Sequence, residues 1–400
     1  MARRRLLPGA DARQGLVALA LNSSTSLVAG AVLGSLTATF ERHPGLLVLV
    51  PAAIGLRGNV FGSLGNRVST SIHAGELQLR LRRSSILGQN VLAAGALTLG
   101  MSLVLVFLAA LVSVGLGFGP TIGLADLAIV SVGGGALASL PVLAATLGLA
   151  AGAVRFGWDL DNVTAPLVST LGDVLTLPAL FAATGLLGLG LLTSTLGWVL
   201  AALAVAALVA GARSSLPQLR RIVRTSIPVL VIAGLVSSLA GVALERRLST
   251  FSALPALLIL VPAHLSSAGA LGGILSGRLS SQLLLGLAPP TAVPSRSARR
   301  DLWFVAALSV PVFIANGTGA HIVARLLDQA SPGLGHLVAA SLLGGMAAMV
   351  AVLVIAYYGT IVTVRLGIDP DTYGIPMVSS TVDLIGALTL VIAIATLGLS

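Results

Sequence analysis

The sequence contains no cysteine among its 400 residues, and only 9% of them are charged. The absence of cysteine excludes disulfides, thiolate nucleophiles and thiolate-based zinc or copper sites. No glycine-rich nucleotide-binding motif and no zinc-ligand spacing is present either. Instead, 56% of the residues are hydrophobic and the mean hydropathy is +1.03, far from the averages of soluble domains. This composition is typical of a helical membrane protein.

Apolar stretches of about 20 residues or more, the length needed to cross a bilayer, recur along the chain. We predict an all-α polytopic membrane protein with about eleven spans. The first span follows Arg3–Arg5 and is too long for the core of a signal peptide, so we expect it to remain uncleaved. The predicted spans are 15–40, 45–66, 86–116, 122–153, 164–186, 190–212, 226–244, 253–276, 302–324, 334–363 and 373–398.

The net charge of +10 would suit a nucleic-acid partner, but the distribution of the arginines argues against one. With a cytoplasmic N-terminus, 18 of the 23 arginines fall in cytoplasmic loops. This bias follows the positive-inside rule. The sequence therefore predicts a multi-pass protein of the cell membrane, surrounded by lipid, with its C-terminus outside and no nucleic-acid partner.

The two halves of the chain repeat each other. Residues 44–69 and 255–280 share 12 identities in 26 positions, and residues 155–177 and 365–387 share 8 in 23. Each half has five predicted spans, and the extra span at 190–212 returns the chain to its starting side of the membrane.

The count of five spans in each half and one extra span predicts two parallel five-helix repeats and one linking transmembrane helix. This arrangement is known in transporters. The first repeat is expected at residues 1–187 and the second at 226–400. Between them, residues 188–225 form the linking helix and a basic cytoplasmic linker.

Asp173 and Asp383 occupy equivalent positions of the two repeats, each inside an apolar span. A charged side chain at the centre of a membrane helix costs about 2.5–3.5 kcal/mol and is a functional-site hypothesis by default. Two carboxylates near a twofold axis repel each other unless a cation lies between them. Oxygen ligands without cysteine or clustered histidine suit a hard cation such as Mg²⁺, which sheds its water reluctantly. The pair thus predicts a site for a hydrated, transported cation.

Two other interpretations of the aspartates remain open at this point. Protonated aspartates could simply donate hydrogen bonds to neighbouring helices. Alternatively, the same two residues could form the dyad of an intramembrane aspartyl protease, in which two carboxylates share one proton. A protease does not require its aspartates at equivalent repeat positions, so we favour a transporter over an enzyme.

Other polar residues near these spans are candidates for the ion pathway. The segment 55–59 places glycines and Arg57 inside a span, which favours a broken helix that lines a cavity. Arg57 opposes a cation, so we expect it to snorkel to the interface or to pair with an acid. Four further aspartates near the cytoplasmic ends of the aspartate helices form an acidic vestibule or simple helix caps. These are Asp159, Asp161, Asp369 and Asp371.

The stretch Pro51–Thr70 resembles the second-helix signature of the MgtE-type integral membrane domain, and most closely its two-copy solute-carrier relatives. Residues 169–173 and 379–383 resemble the last helix of that family, where an aspartate binds Mg²⁺ in the pore. The resemblance implies transport of Mg²⁺ or a related divalent cation by a single chain whose halves mimic a homodimer. It implies that Asp173 and Asp383 bind the metal. It also suggests pore-lining residues, namely Gly58, Asn59, Ser169 and Ser379.

Overall fold

The computed structural model of the protein describes residues 8–73, 81–116, 122–156, 160–284, 289–366 and 375–399. Within these ranges, the side chains of residues 8–18, 160–169 and a few other helical positions are not described. All regular structure in the described ranges is helical, and no strand occurs there. The all-α prediction is therefore confirmed.

The helices follow the apolar runs of the sequence, and several extend beyond the predicted spans at one or both ends. α4 begins where the Ser85 side chain accepts a hydrogen bond from the Gly88 amide at 3.0 Å, a typical N-terminal cap. α5 continues through a short π-helical stretch, Ile129–Gly133, into α6. The helices are α1 (Pro8–Ser35), α2 (Thr37–Arg42), α3 (Leu46–His73), α4 (Ile86–Gly115), α5 (Leu124–Ala128), α6 (Gly134–Phe156), α7 (Leu160–Thr184), α8 (Leu191–Ala212), α9 (Pro217–Glu245), α10 (Leu248–Ala253), α11 (Pro255–Leu284), α12 (Arg296–Leu326), α13 (Leu334–Leu366) and α14 (Ile375–Thr396).

Among the described residues, nine helical segments are long and apolar enough to cross a membrane. They coincide with nine of the predicted spans. Two predicted spans, the first and the fifth, correspond to α1 and α7. Their described apolar segments, Leu19–Ser35 and Thr170–Thr184, are shorter than the other nine. The chain is a multi-pass membrane protein.

Helix α3 runs without interruption through the glycine-rich segment that was expected to break it. The prediction of a broken helix at residues 55–59 is wrong. Glycine in a helix interior costs only about 1 kcal/mol relative to alanine, and α3 packs along its length against α4, α7 and α9. The glycines therefore do not break the helix.

The helices form two compact units. The α11 unit comprises residues 1–34, 250–368 and 385–400, and so contains α1, α11, α12, α13 and the last part of α14. The α3 unit comprises residues 35–249 and 369–384, and so contains α2 to α9 and the first part of α14. Each unit thus includes the first helix of the opposite repeat.

The exchanged helices make equivalent contacts in the two units. In the α11 unit, Gly30 of α1 lies so close to Ile259 of α11 that an added Cβ would collide with the Ile259 carbonyl oxygen. In the α3 unit, Gly241 of α9 meets the carbonyl oxygen of Val48 of α3 in the same way. The residues of each pair are 211 positions from their counterparts. The same glycine contact therefore docks each first helix.

A buried hydrogen bond also repeats between the units. The Ser131 hydroxyl donates to the carbonyl oxygen of Ser102 at 2.7 Å, and the Ser341 hydroxyl donates to that of Phe313 at 2.7 Å. The first bond links the π-helical stretch to α4, and the second links α13 to α12. Ser102 and Phe313 are thereby equivalent positions, although their side chains differ greatly in size and polarity.

Candidate cation site

Both of the duplicated aspartates lie in the α3 unit. Asp173, on α7, is only 6% exposed, and Asp383, on the first part of α14, is partly exposed. The two carboxylates are close enough to act on each other electrostatically. The sequence repeats therefore contribute one acidic group each to a single compact unit.

The carboxylate of Asp383 faces α3 and α9. A Cβ atom built on Gly55 of α3 would lie 3.6 Å from the Asp383 Oδ2 atom and 3.6 Å from the Ser237 Oγ atom of α9. Ser237 is 2% exposed, and its hydroxyl has no hydrogen-bond partner among the described residues. Because Gly55 has no side chain, the carboxylate and the hydroxyl border a space that no atom of α3 fills.

Asp173 is positioned by a close approach of α7 to α3. A Cβ on Gly172 would lie 3.8 Å from the amide nitrogen of Gly58 and 3.5 Å from the Cβ of Arg57. The buried Thr176 hydroxyl donates to the Gly172 carbonyl oxygen one turn earlier in the helix. The α7 backbone at Gly172, next to the aspartate, thus lies against α3.

The other predicted pore-lining residues of α3 and α14 lie near these groups by helix geometry. Asn59, 5% exposed, is four residues after Gly55 and so shares the α3 face that meets Asp383. Ser379 is partly exposed and lies one turn before Asp383 on the same face of α14. Gly58 lies on the α3 side that contacts α7. These residues remain candidates for lining an ion pathway.

Several predicted site residues lie outside the part that is described. Ser169 and Asp161 are within α7, but their side chains are not described. Asp159, Asp369 and Asp371 fall outside the described residues. The acidic vestibule therefore stays a prediction.

Arg57 does not behave as the sequence led us to expect. Its side chain is 1% exposed, and its guanidinium donates to the carbonyl oxygen of Ala53 and, at 3.4 Å, to the hydroxyl of Ser102. The prediction that it snorkels to the interface is wrong, because Gly135 leaves room for the guanidinium inside the unit. A Cβ on Gly135 would collide with the guanidinium.

The ligand types at this site suit a hydrated hard cation. Nowhere in the described ranges do three or more His, Cys, Asp or Glu side chains come together. The two carboxylates and the Ser237 hydroxyl offer oxygen ligands beside the space at Gly55. They do not form a closed cage. Mg²⁺ keeps several waters and uses one or two carboxylates in many protein sites.

Ser237 is the site residue that the sequence analysis missed. A signal for it exists, since Ser26 occupies the equivalent position of the first repeat and is itself fully buried. A small polar residue kept at matching positions of two apolar spans resembles the pattern that revealed the aspartates. The serine was overlooked because hydroxyls are common in membrane helices and cost little there.

An all-helical multi-pass protein in which each repeat places an acid within an apolar span has the features of a membrane transporter. Residues 50–183 and 261–393 match the model of the MgtE family, described as divalent cation transporter. The two matches cover more than half of the chain, so the chain belongs to the MgtE family, in two copies. It is a divalent cation transporter and not an enzyme, so the protease alternative is wrong.

Similar proteins belong to solute carrier family 41. The chain is 25% identical to solute carrier family 41 member 3 of Rattus norvegicus over 93% of the chain and 84% of the relative. It is 26% identical to member 3 of Mus musculus, over 87% of the chain and 74% of the relative. It is 28% identical to member 2 of Xenopus laevis, over 88% of the chain and 66% of the relative. No solved structure gives a significant match.

Proposed function

We propose that the protein transports Mg²⁺ across the membrane along a pathway in which Asp173 and Asp383 bind the partly hydrated ion. The observation that carries this proposal is that one aspartate from each repeat lies in the same unit, on helices that approach the same segment of α3, residues 55–58. A dication neutralises two carboxylates that otherwise repel each other in a medium of low dielectric. The family match supports a divalent cation as the substrate.

The ion keeps part of its water shell at this site. Mg²⁺ binds water at about 2.0–2.1 Å and dehydrates reluctantly. The space between the Asp383 carboxylate, the Ser237 hydroxyl and the bare backbone of Gly55 admits water ligands of the ion. Asn59 and Ser379 extend this polar lining by one helical turn on α3 and α14. Gly58 and Ser169 belong to the same proposed pathway, and the four vestibule aspartates would concentrate cations at its cytoplasmic entrance.

The decisive experiment is Mg²⁺ flux in proteoliposomes containing the full chain. Asp173→Asn and Asp383→Asn each remove one negative charge from the site, so we expect flux to fall roughly tenfold or more. Asp328→Asn is the matched control, because Asp328 is exposed and asparagine tolerates its positive φ of 50°. Unchanged flux in both site variants, with unchanged flux in the control, would refute the proposed site.

The proposed membrane arrangement consists of eleven spans, with two parallel repeats and α8 as the linking helix. The arginine distribution supports a cytoplasmic N-terminus and an external C-terminus. Accessibility labelling of tags at the two ends of the chain tests this arrangement. Labelling of both tags from the same side of the membrane would refute it.

A further inference from the structure

Arg57 is a cation buried inside the α3 unit. Its guanidinium is held by the Ala53 carbonyl and the Ser102 hydroxyl, and its Nε atom has no hydrogen-bond partner among the described residues. No described carboxylate lies within ion-pair distance of it. Arginine stays protonated in proteins. Burial of an unpaired charge is strongly unfavourable, so a packing role alone does not account for this residue.

The second repeat shows that the same space can be filled without a charge. The position equivalent to Arg57 is Ala268, and the position equivalent to Ser102 is Phe313. In the α11 unit the Phe313 ring lies against Gly345, as the Arg57 guanidinium lies against Gly135 in the α3 unit. Arginine with serine in one repeat thus corresponds to alanine with phenylalanine in the other. Packing at this point does not require a cation.

The charge lies close to the proposed cation site, on the side of α3 opposite to Asp383. Gly55 and Arg57 are two residues apart, so their side-chain directions differ by about 200° around the helix axis. Gly55 faces Asp383, whereas Arg57 points to α4 and α6. The guanidinium is therefore separated from the Asp383 carboxylate by roughly the diameter of one helix, about 10 Å.

We propose that Arg57 is a fixed positive charge that weakens cation binding at the Asp173–Asp383 site and so permits release of a divalent ion. This inference rests on the proposed function. Its electrostatic effect is proportional to the charge of the ion, so it acts twice as strongly on a divalent as on a monovalent cation. Transport requires binding that is favourable enough for entry and weak enough for exit.

The size of the effect follows from the distance. With an effective dielectric of about 20 and about half of the interaction screened by pathway water, removal of the charge strengthens divalent binding roughly fifteenfold. Under the same conditions a monovalent cation gains only roughly fourfold. The ratio between these changes distinguishes a charge effect from a general change of shape.

The test grafts the packing of the second repeat onto the first. Arg57→Ala combined with Ser102→Phe removes the charge and supplies a ring to refill the space, as in the α11 unit. Mg²⁺ binding to the purified full chain is measured by calorimetry, with Na⁺ as the monovalent competitor. We expect Mg²⁺ affinity to rise roughly fifteenfold, Na⁺ affinity to rise roughly fourfold, and Mg²⁺ flux at saturation to fall because release is slower.

Two further variants complete the design. Arg57→Lys keeps the charge and should bind Mg²⁺ within about twofold of wild type, since the Coulomb energy depends on charge rather than on shape. Arg57→Met keeps most of the chain length without the charge, and it decides the question if the graft fails to fold. Wild-type Mg²⁺ affinity in a folded neutral variant would overturn this proposal.

The two proposals fail in different ways. If Asp173→Asn and Asp383→Asn bind Mg²⁺ as wild type does, the cation site itself is wrong. If they lose binding while the neutral Arg57 variants remain unchanged, only the role of Arg57 is wrong.

Discussion

Replacement of Gly55 by alanine is expected to reduce transport without reducing the stability of the protein. The new Cβ would lie 3.6 Å from both the Asp383 Oδ2 and the Ser237 Oγ atoms, which is ordinary van der Waals contact. No backbone needs to move. Alanine is favoured over glycine in a helix interior by about 0.5–1 kcal/mol, so the variant should be as stable as wild type or slightly more stable.

The same methyl group occupies the space in which the bound ion needs water. A water that bridges Mg²⁺ to a carboxylate sits about 2.5–2.9 Å from the carboxylate oxygen, and its share of liquid volume is about 30 Å³. A carbon 3.6 Å from the Asp383 oxygen excludes a water on that side. Loss of one hydrogen bond to a charged group costs about 1.5–3 kcal/mol, or roughly ten- to hundredfold in affinity.

The assay combines Mg²⁺ flux in proteoliposomes with thermal unfolding of the same preparation in detergent. Gly95→Ala on α4 is the matched control, because Gly95 is exposed, lies in a helix interior and has no neighbour within 4 Å of an added Cβ. We expect Gly55→Ala to lose flux while it keeps or gains stability, and the control to keep both. Wild-type flux in a stable Gly55→Ala protein would refute the hydrated-ion geometry at Asp383.

Two predictions concern stability. Gly241→Val places a side chain against the Val48 carbonyl, so we expect a loss of about 1–3 kcal/mol in thermal unfolding; wild-type stability would contradict the close approach of α9 to α3. Asp301, whose side chain is 7% exposed, accepts a hydrogen bond from Arg278 at 2.8 Å, and Asn90 takes its place in the first repeat. Asp301→Asn should therefore cost under about 1 kcal/mol, whereas Arg278→Ala leaves a buried carboxylate with Gln282 as its remaining donor among the described residues and should cost about 1.5–3 kcal/mol. Equal losses in these two variants would contradict that reasoning.

The course of the helices could be predicted well from the sequence, and the reason is the bilayer. A membrane helix needs about 20 apolar residues, and this requirement leaves a signal that depends on composition alone. Glycine predicts a break in a membrane helix less reliably. The segment from Gly55 to Asn59 combines helix-disfavouring residues with a charge, yet α3 continues through it because three neighbouring helices pack against it. Tertiary packing overrode local propensity there.

The exchange of first helices could not be predicted from the repeats. Since Gly30 and Gly241 are equivalent, as are Val48 and Ile259, the sequence is equally consistent with docking within a repeat or across repeats. The structure chooses the second arrangement in both units. The aspartates were found because a carboxylate in an apolar span is costly and therefore rare. Ser237 was missed because a hydroxyl carries no such cost.

Duplication within one chain also explains how a buried arginine, Arg57, is compatible with the proposed cation site at Asp173 and Asp383. A homodimer built from the first repeat would carry Arg57 and Asp173 twice. By the same Coulomb estimate each arginine lowers divalent affinity roughly fifteenfold, so such a site would bind a dication more weakly than one with a single arginine. In the present chain Ala268 replaces the second arginine whereas Asp383 preserves the second acid. One positive charge against two negative ones leaves a net charge of about −1, which attracts a divalent ion without trapping it. In the proposed site each repeat therefore supplies one carboxylate, whereas only the first repeat supplies the opposing positive charge.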